Sequence, residues 1–170
     1  GRRCDHAARQ KDRKGPRYTM TFICDVMLGR LSRYLRILGL DSPCSKGPGS
    51  PETLEHTEDP PYFFTKRLKG PSYERSIHIR SDRIMEQLAE VRPTIAPYID
   101  PCIIMSRCIE CNVPLVAAVR EDIEHHVPEY IYHHHKDFKQ CPSCKRVYWG
   151  GSHMEKMKKW IDTITTAHSS

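Results

Sequence analysis

At 170 residues with 38% hydrophobic side chains, the chain has room for one domain or two small ones; no run reaches the ~18 apolar residues a membrane-spanning helix needs. The charged N-terminus predicts no secretory leader, so eight cysteines point to metal or redox chemistry in a reducing, intracellular compartment rather than to a disulfide scaffold. The net charge of +6 divides unevenly, because residues 1–17 carry +5 and the remaining 153 carry only +1, so any nucleic-acid reading must rest on where the cations sit.

Residues 1–20 read as a basic, flexible arm without apolar periodicity. Thr21–Cys24 is a short apolar run ending at Asp25, the pattern of a buried strand. Leu28, Leu31, Leu35 and Leu38 then recur at i, i+3, i+7 and i+10, one face of a helix that Gly39 ends. Arg30 and Arg33 share another face of it, with Arg36 alongside. Residues 42–61 are rich in Pro, Gly and Ser and then acidic, which predicts a loop with at most a short helix near Glu52–His56. Tyr62–Thr65 reads as a second strand and Ser76–Arg80 as a third. Asp82 is placed to cap a helix carrying Ile84, Leu88 and Val91. This order predicts a small α/β domain with a mainly parallel sheet over residues 21–92.

Prolines at 93, 97 and 101 argue against a helix or central strand over residues 93–107. Ile95, Tyr98, Ile99, Ile103 and Ile104 make that stretch too apolar for a free linker. It is expected to lie extended across a surface, its own or a partner's. Strand-like pieces follow at Leu115–Val119, Tyr130–His133 and Arg146–Trp149. Ser152-His-Met-Glu155 is a capping box. It opens a C-terminal helix, expected over 153–168, with Met154, Met157, Ile161 and Ile164 on one face.

The strongest chemical signal is Cys108-x-x-Cys111 paired with Cys141-x-x-Cys144. Tetrahedral Zn²⁺ takes four thiolates at about 2.3 Å, and each C-x-x-C turn supplies two from one knuckle. Residues 108–152 are therefore expected to be a zinc ribbon whose closed site is structural, and metal removal is expected to unfold the region after Met105. His133-His-His135 offers no second site, since neighbours along a strand point apart. Asp25 ends the first strand, at the edge where open α/β sheets hold ligands. A nuclease would gather carboxylates there around Mg²⁺ or Mn²⁺, and Asp25, Asp41 and Asp82 are the candidates. One aspartate after a strand serves equally as a helix cap.

Phe22–Asp41 resembles the opening of the Mut-seven C-terminal family. So do Ile79–Asp82 with Glu86–Leu88, Ser106–Asn112 with Pro114-Leu115, Val127–Tyr130, and Val147–His153. The resemblance implies a PIN-like RNase fold followed by a zinc ribbon. It further implies a place at the C-terminal end of a mutator-type 3′–5′ exoribonuclease of small-RNA silencing, with an exonuclease domain earlier in the same chain. The chain departs from the family in two places: where Leu-Thr-Arg-Asp is usual, Phe64-Thr-Lys-Arg67 stands, and the helix expected between Asp41 and Phe63 is shortened to a loop. A cation replaces the metal-binding carboxylate, and a cation attracts phosphate.

Three functions are therefore in play. The first is a noncatalytic domain that binds RNA through Arg30, Arg33, Lys66, Arg67 and Lys69. The second is a metal-dependent endoribonuclease using Asp25, Asp41 and Asp82. The third is a protein-interaction module, docking a silencing-complex partner through Ile99, Ile103 and Ile104 or the apolar face of the last helix. Tyr148 and Trp149 are expected either to stack on bases or to fill the ribbon core. The expected location is cytoplasm or a perinuclear granule.

Overall fold

The computed structural model describes residues 20–45, 59–68, 74–150 and 159–163. Residues 1–19 of the basic arm, the short helix expected near residues 52–56, Lys69, the capping box and all but residues 159–163 of the expected C-terminal helix lie outside these residues, while Met20 at the arm's end is buried in the core.

The first apolar run forms β1 (Phe22–Asp25), buried along its whole length. A 3₁₀ turn, Val26–Leu28, leads into α1 (Gly29–Ile37). Leu28, Leu31, Leu35 and Leu38 all turn inward, as their spacing predicts, each burial stabilising the fold by about 1.5–3 kcal/mol. Gly39, at φ 82°, ends the helix. Its N–H donates to Arg36 O at 3.0 Å while Leu40 N–H reaches back to Leu35 O at 3.0 Å, the paired bonds of a Schellman stop. A β-carbon at this glycine would sit 2.1 Å from the Ile103 carbonyl oxygen, so the close approach of residues 99–105 also demands glycine.

β2 (Cys44–Ser45), β3 (Tyr62–Thr65) and β4 (Ser76–His78) join β1 in a four-stranded parallel sheet of order β2-β1-β3-β4. β2 lies inside the stretch expected to be loop. It is only two residues long and has no apolar run to reveal it. Phe22 at the sheet's centre stacks on Tyr62 and Phe64, with Tyr98 edge-on at 5.5 Å. The chain is thus α/β.

α2 (Ile84–Ile95) runs through Pro93 and passes directly into a 3₁₀ turn, Ala96–Tyr98. This corrects the expectation that helix stops at Arg92, and the boundary drawn there falls inside α2. Val91 and Ile95, both fully buried, hold the last turn against the core despite the proline. The N-cap is Arg83 rather than Asp82, and it makes no side-chain cap. Beyond α2 the chain turns rather than extends. Tyr98, Ile99, Ile104 and Met105 pack on the α/β core, and Met105 N–H donates to Ile37 O at 2.8 Å.

The second half holds an antiparallel sheet, β5 (Val116–Ala117), β6 (Phe138–Gln140) and β7 (Val147–Trp149), in that order. Between β5 and β6 lie α3 (Arg120–Ile123) and α4 (Glu129–His134). α4 replaces the strand expected at Tyr130–His133. Pro128 and Glu129 open it, His134 stacks on Tyr130 one turn back at 3.9 Å, and the Arg120 guanidinium lies 4.4 Å from the Tyr132 ring. Arg120 also donates to the carbonyls of Tyr132 and His135, satisfying the helix end. Tertiary partners here override the β preference of Tyr and Ile. A small core of Ile123, Val127, Phe138 and Val147 supports the sheet.

Residues 159–163 are helical. Ile161 is buried with the α/β core, and Trp160 meets Tyr34 of α1 edge-on at 5.7 Å. No helix among the described residues is long and apolar enough to cross a membrane.

Candidate metal centre and carboxyl-edge pocket

The two C-x-x-C segments form the same turn twice. In the first, Asn112 N–H donates to Cys108 O at 3.0 Å, Asn112 takes a left-handed φ of 61°, and Cys111 N–H points at Cys108 Sγ at 3.4 Å. In the second, Lys145 N–H donates to Cys141 O at 3.0 Å, Lys145 takes φ 62°, and Cys144 N–H points at Cys141 Sγ at 3.4 Å. The four sulfurs lie within 4.8 Å of one another, with Cys108 and Cys144 at 3.8 Å. A tetrahedron with metal–sulfur bonds of about 2.3 Å has edges of about 3.8 Å, whereas a disulfide would bring sulfurs to about 2 Å. The donor set therefore fits a structural metal such as zinc.

Charge gathers unevenly in this cluster. Burial opposes ionisation of Cys108, but hydrogen bonds from Tyr148 and from the Cys111 and Glu110 backbone outweigh it and bring the thiol down to about 6. Cys111 is pushed up to about 12, chiefly by sharing with Cys144. Hydrogen bonding thus favours the thiolate at Cys108, the form in which a cysteine binds metal.

The first knuckle is bolted to the α/β half. Arg36, 8% exposed, donates through Nε to Ser42 O at 2.9 Å and through Nη1 to Ile109 O and Glu110 O at 2.7 and 2.9 Å. Asn112 donates to Asp41 Oδ1 at 2.6 Å and accepts from Ser42 N–H at 3.0 Å. Asp41 also accepts from Thr21 Oγ1 at 2.8 Å and faces Arg107 at 3.8 Å. Asp41 pairs with Thr21 at the start of β1, four residues from Asp25, or about 13 Å along a strand. The structure therefore sets Asp41 apart from Asp25 and gives it a joining role.

At the other end of β1, Asp25 is 1% exposed. Its Oδ1 accepts from Met27 N–H at 3.3 Å, and its Oδ2 accepts from Thr65 Oγ1 at 2.9 Å. Arg67 Nε closes on the same Oδ2 at 3.3 Å with half its side chain exposed. Thr65 Oγ1 also accepts from Arg67 N–H at 3.0 Å, which fixes the turn after β3. Next to it Lys66 Nζ contacts the carboxylate of Asp82, whose side chain is 93% exposed, and reaches Arg80 O at 3.4 Å. So two of the three candidate carboxylates stand at the carboxyl edge, each paired with a lysine or arginine from the turn after β3.

A family model described as the Mut7-C RNAse domain matches residues 20–161. The chain belongs to that family. No curated protein and no solved structure matched it.

Within this Mut7-C domain the remaining candidates fall as follows. Arg30 is exposed on the first turn of α1, beside the carboxyl edge. Arg33 reaches Glu110 at 3.2 Å, a carboxylate it shares with Arg146 at 3.3 Å. Ile99, Ile103 and Ile104 are half-buried, and Ile99 and Ile104 pack on the core. Trp149 packs on the ribbon core, and the Tyr148 hydroxyl is engaged at Cys108, 3.2 Å away. Neither is a free stacking platform. Arg36, Thr65 and Asn112 were not singled out from the sequence. Asn112 carried a usable signal, because Asn is the non-glycine residue most at ease in the left-handed turn that closes a knuckle.

Proposed function

We propose that this Mut7-C domain grips RNA without cutting it, with one zinc ion in the four-cysteine site. In this reading it serves as the C-terminal part of a 3′–5′ exoribonuclease in small-RNA silencing. The observation that carries the reading is Arg67 Nε at 3.3 Å from the buried Asp25 carboxylate. Two-metal hydrolysis needs several anionic oxygens free to hold Mg²⁺ or Mn²⁺. Here both Asp25 oxygens are engaged by the chain's own donors. Asp82 faces Lys66, and Asp41 is at the far end of β1.

Arg67 keeps half its surface toward solvent, and Arg30 stands nearby, so phosphate oxygens have partners at this edge. Val26, Met27, Leu68 and Met85 are exposed on the loops and helix start that form the same edge, Leu68 to 86%. Unstacked bases can rest on such side chains while the cations hold the backbone.

The test pairs cleavage with binding. Labelled RNA incubated with the chain and Mn²⁺ is expected to stay intact, and filter binding is expected to weaken steeply with salt. Arg67→Gln should lower the slope of log affinity against log salt by about 0.7, the value for one single-strand phosphate contact. Cleavage that Asp25→Asn abolishes would overturn the noncatalytic reading. Binding indifferent to salt would overturn the RNA reading.

A further inference from the structure

Tyr148 sits in the middle of β7, the strand that follows the second knuckle, yet its hydroxyl reaches the first. Tyr148 Oη lies 3.2 Å from Cys108 Sγ and accepts the Ile109 N–H at 3.2 Å. A phenol has one proton to give. With its oxygen already accepting from the Ile109 amide, that proton is free to point at the sulfur.

We infer that Tyr148 is a positioning residue of the metal site: its O–H donates to Cys108 Sγ and sets how tightly the site holds its metal. This rests on reading the four cysteines as a metal centre. Four thiolates around a divalent ion leave an excess of two negative charges. Donors to the sulfurs draw off part of that charge, and outer partners of this kind fix ligand orientation. The Cys111 amide is one such donor to Cys108. The phenol adds a second, and it ties the first knuckle to the strand leaving the other, so both pairs of ligands are held in one frame.

The experiment uses the whole chain loaded with Zn²⁺ or Co²⁺. Tyr148→Phe keeps the ring and removes the donor. Zinc affinity, read by competition with a chromophoric chelator, is expected to fall by about 10–100-fold. The thiolate-to-cobalt charge-transfer band should move to lower energy, since a sulfur without its donor gives up electron density more readily. Tyr132→Phe, which alters a phenol on α4, should change neither. An affinity within twofold of the parent with an unmoved cobalt band would overturn the inference. If Tyr148→Phe fails to fold, 3-fluorotyrosine at position 148 donates more strongly and should move the band the other way; no movement overturns the inference equally. A parent chain that takes up no stoichiometric metal would remove the metal reading itself, and that result is visible in the parent titration alone.

Discussion

The two ends of this molecule treat clustered acidic groups in opposite ways. At the knuckles four thiols converge within 4.8 Å, more acidic groups than the nearby Arg146, itself paired with Glu110, can match. At the carboxyl edge of the sheet, Asp25 and Asp82 are instead matched one for one by Arg67 and Lys66. Anions that outnumber the cations beside them create demand for a metal; anions each given a partner do not. Acidic residues at a sheet edge therefore say little about metal chemistry until their partners are known. Arg67 decides the matter here more than Asp25 does.

The largest expected effect comes from breaking the knuckle side. Stripping the metal with a strong chelator removes a binding free energy on the order of 10 kcal/mol. Amide exchange at Asn112 and Lys145, whose N–H groups close the two knuckles, is expected to lose its protection. Arg36 and Asn112 tie the first knuckle to Ser42 and Asp41. The loss should therefore spread into residues 41–45 and the end of α1, while β3 and β4 stay protected. That is a wider loss than the sequence suggests, which places the break after Met105. Protection retained at 41–45 with complete loss beyond 108 would show two energetically separate halves.

The edge side is expected to respond more weakly and asymmetrically. Arg67→Met leaves Asp25 buried and charged, with only Thr65 and the Met27 amide as donors. Removing one partner of a fully buried pair costs about 3–5 kcal/mol. Arg67 is half exposed, so about 2 kcal/mol is the expected loss in urea unfolding at neutral pH. Asp25→Asn frees Arg67 to turn toward water and should cost about 1 kcal/mol, the worth of one hydrogen bond. The double variant should be more stable than Arg67→Met alone. Arg67→Asp tests the comparison directly: it should make unfolding depend on Mn²⁺, because it sets a second carboxylate beside Asp25 and removes the cation that faced it. No Mn²⁺ dependence would show that the edge fails to hold metal for reasons beyond Arg67.

Much of this contrast was legible in the chain, and what was not has physical causes. β1, α1 and the four cysteines followed from apolar spacing and ligand spacing, which depend on neighbours close in sequence. The Phe64-Thr-Lys-Arg67 departure by itself points to a cation at the edge. Partners distant in sequence were hidden. Asp41 looked like a candidate for the crevice, yet an isolated parallel bridge ahead of β2 sets it alongside Thr21, and a single bridge leaves no pattern in the sequence. Arg36 looked like one more surface arginine of α1, although a carbonyl-lined slot beneath the first knuckle buries it. α4 read as a strand because Tyr130, Ile131 and Tyr132 favour extended backbone, and nothing local announced that Arg120 would cover Tyr132. The feature most important for the site, which cation faces which carboxylate, belongs to the fold rather than to any segment.

The smallest expected effect tests whether the edge is held in place by a third acidic residue. Glu90 accepts the N–H groups of Arg80 and Ser81 at 2.9 Å each, pinning the turn that presents Asp82 to Lys66. Desolvation works against its ionised form, but the hydrogen bonds from Arg80 and Ser81 prevail and hold its carboxyl below the ordinary 4.5. A carboxylate whose folded value is depressed contributes stability above its unfolded pKa and loses that contribution as pH falls through the folded one. Glu90→Gln should thus destabilise the chain at pH 7 by less than about 1 kcal/mol, since the group is largely solvated. The difference between the two proteins should shrink only below pH 4.5. If the turn is what keeps Lys66 occupied, Glu90→Gln should also release Lys66 toward solvent and tighten RNA binding slightly at low salt, while Lys66→Met/Glu90→Gln should show no such gain. Equal RNA affinity in all three proteins would mean that Lys66 stays with Asp82 whatever the turn does, and the grip on phosphate would then fall to Arg67 and Arg30.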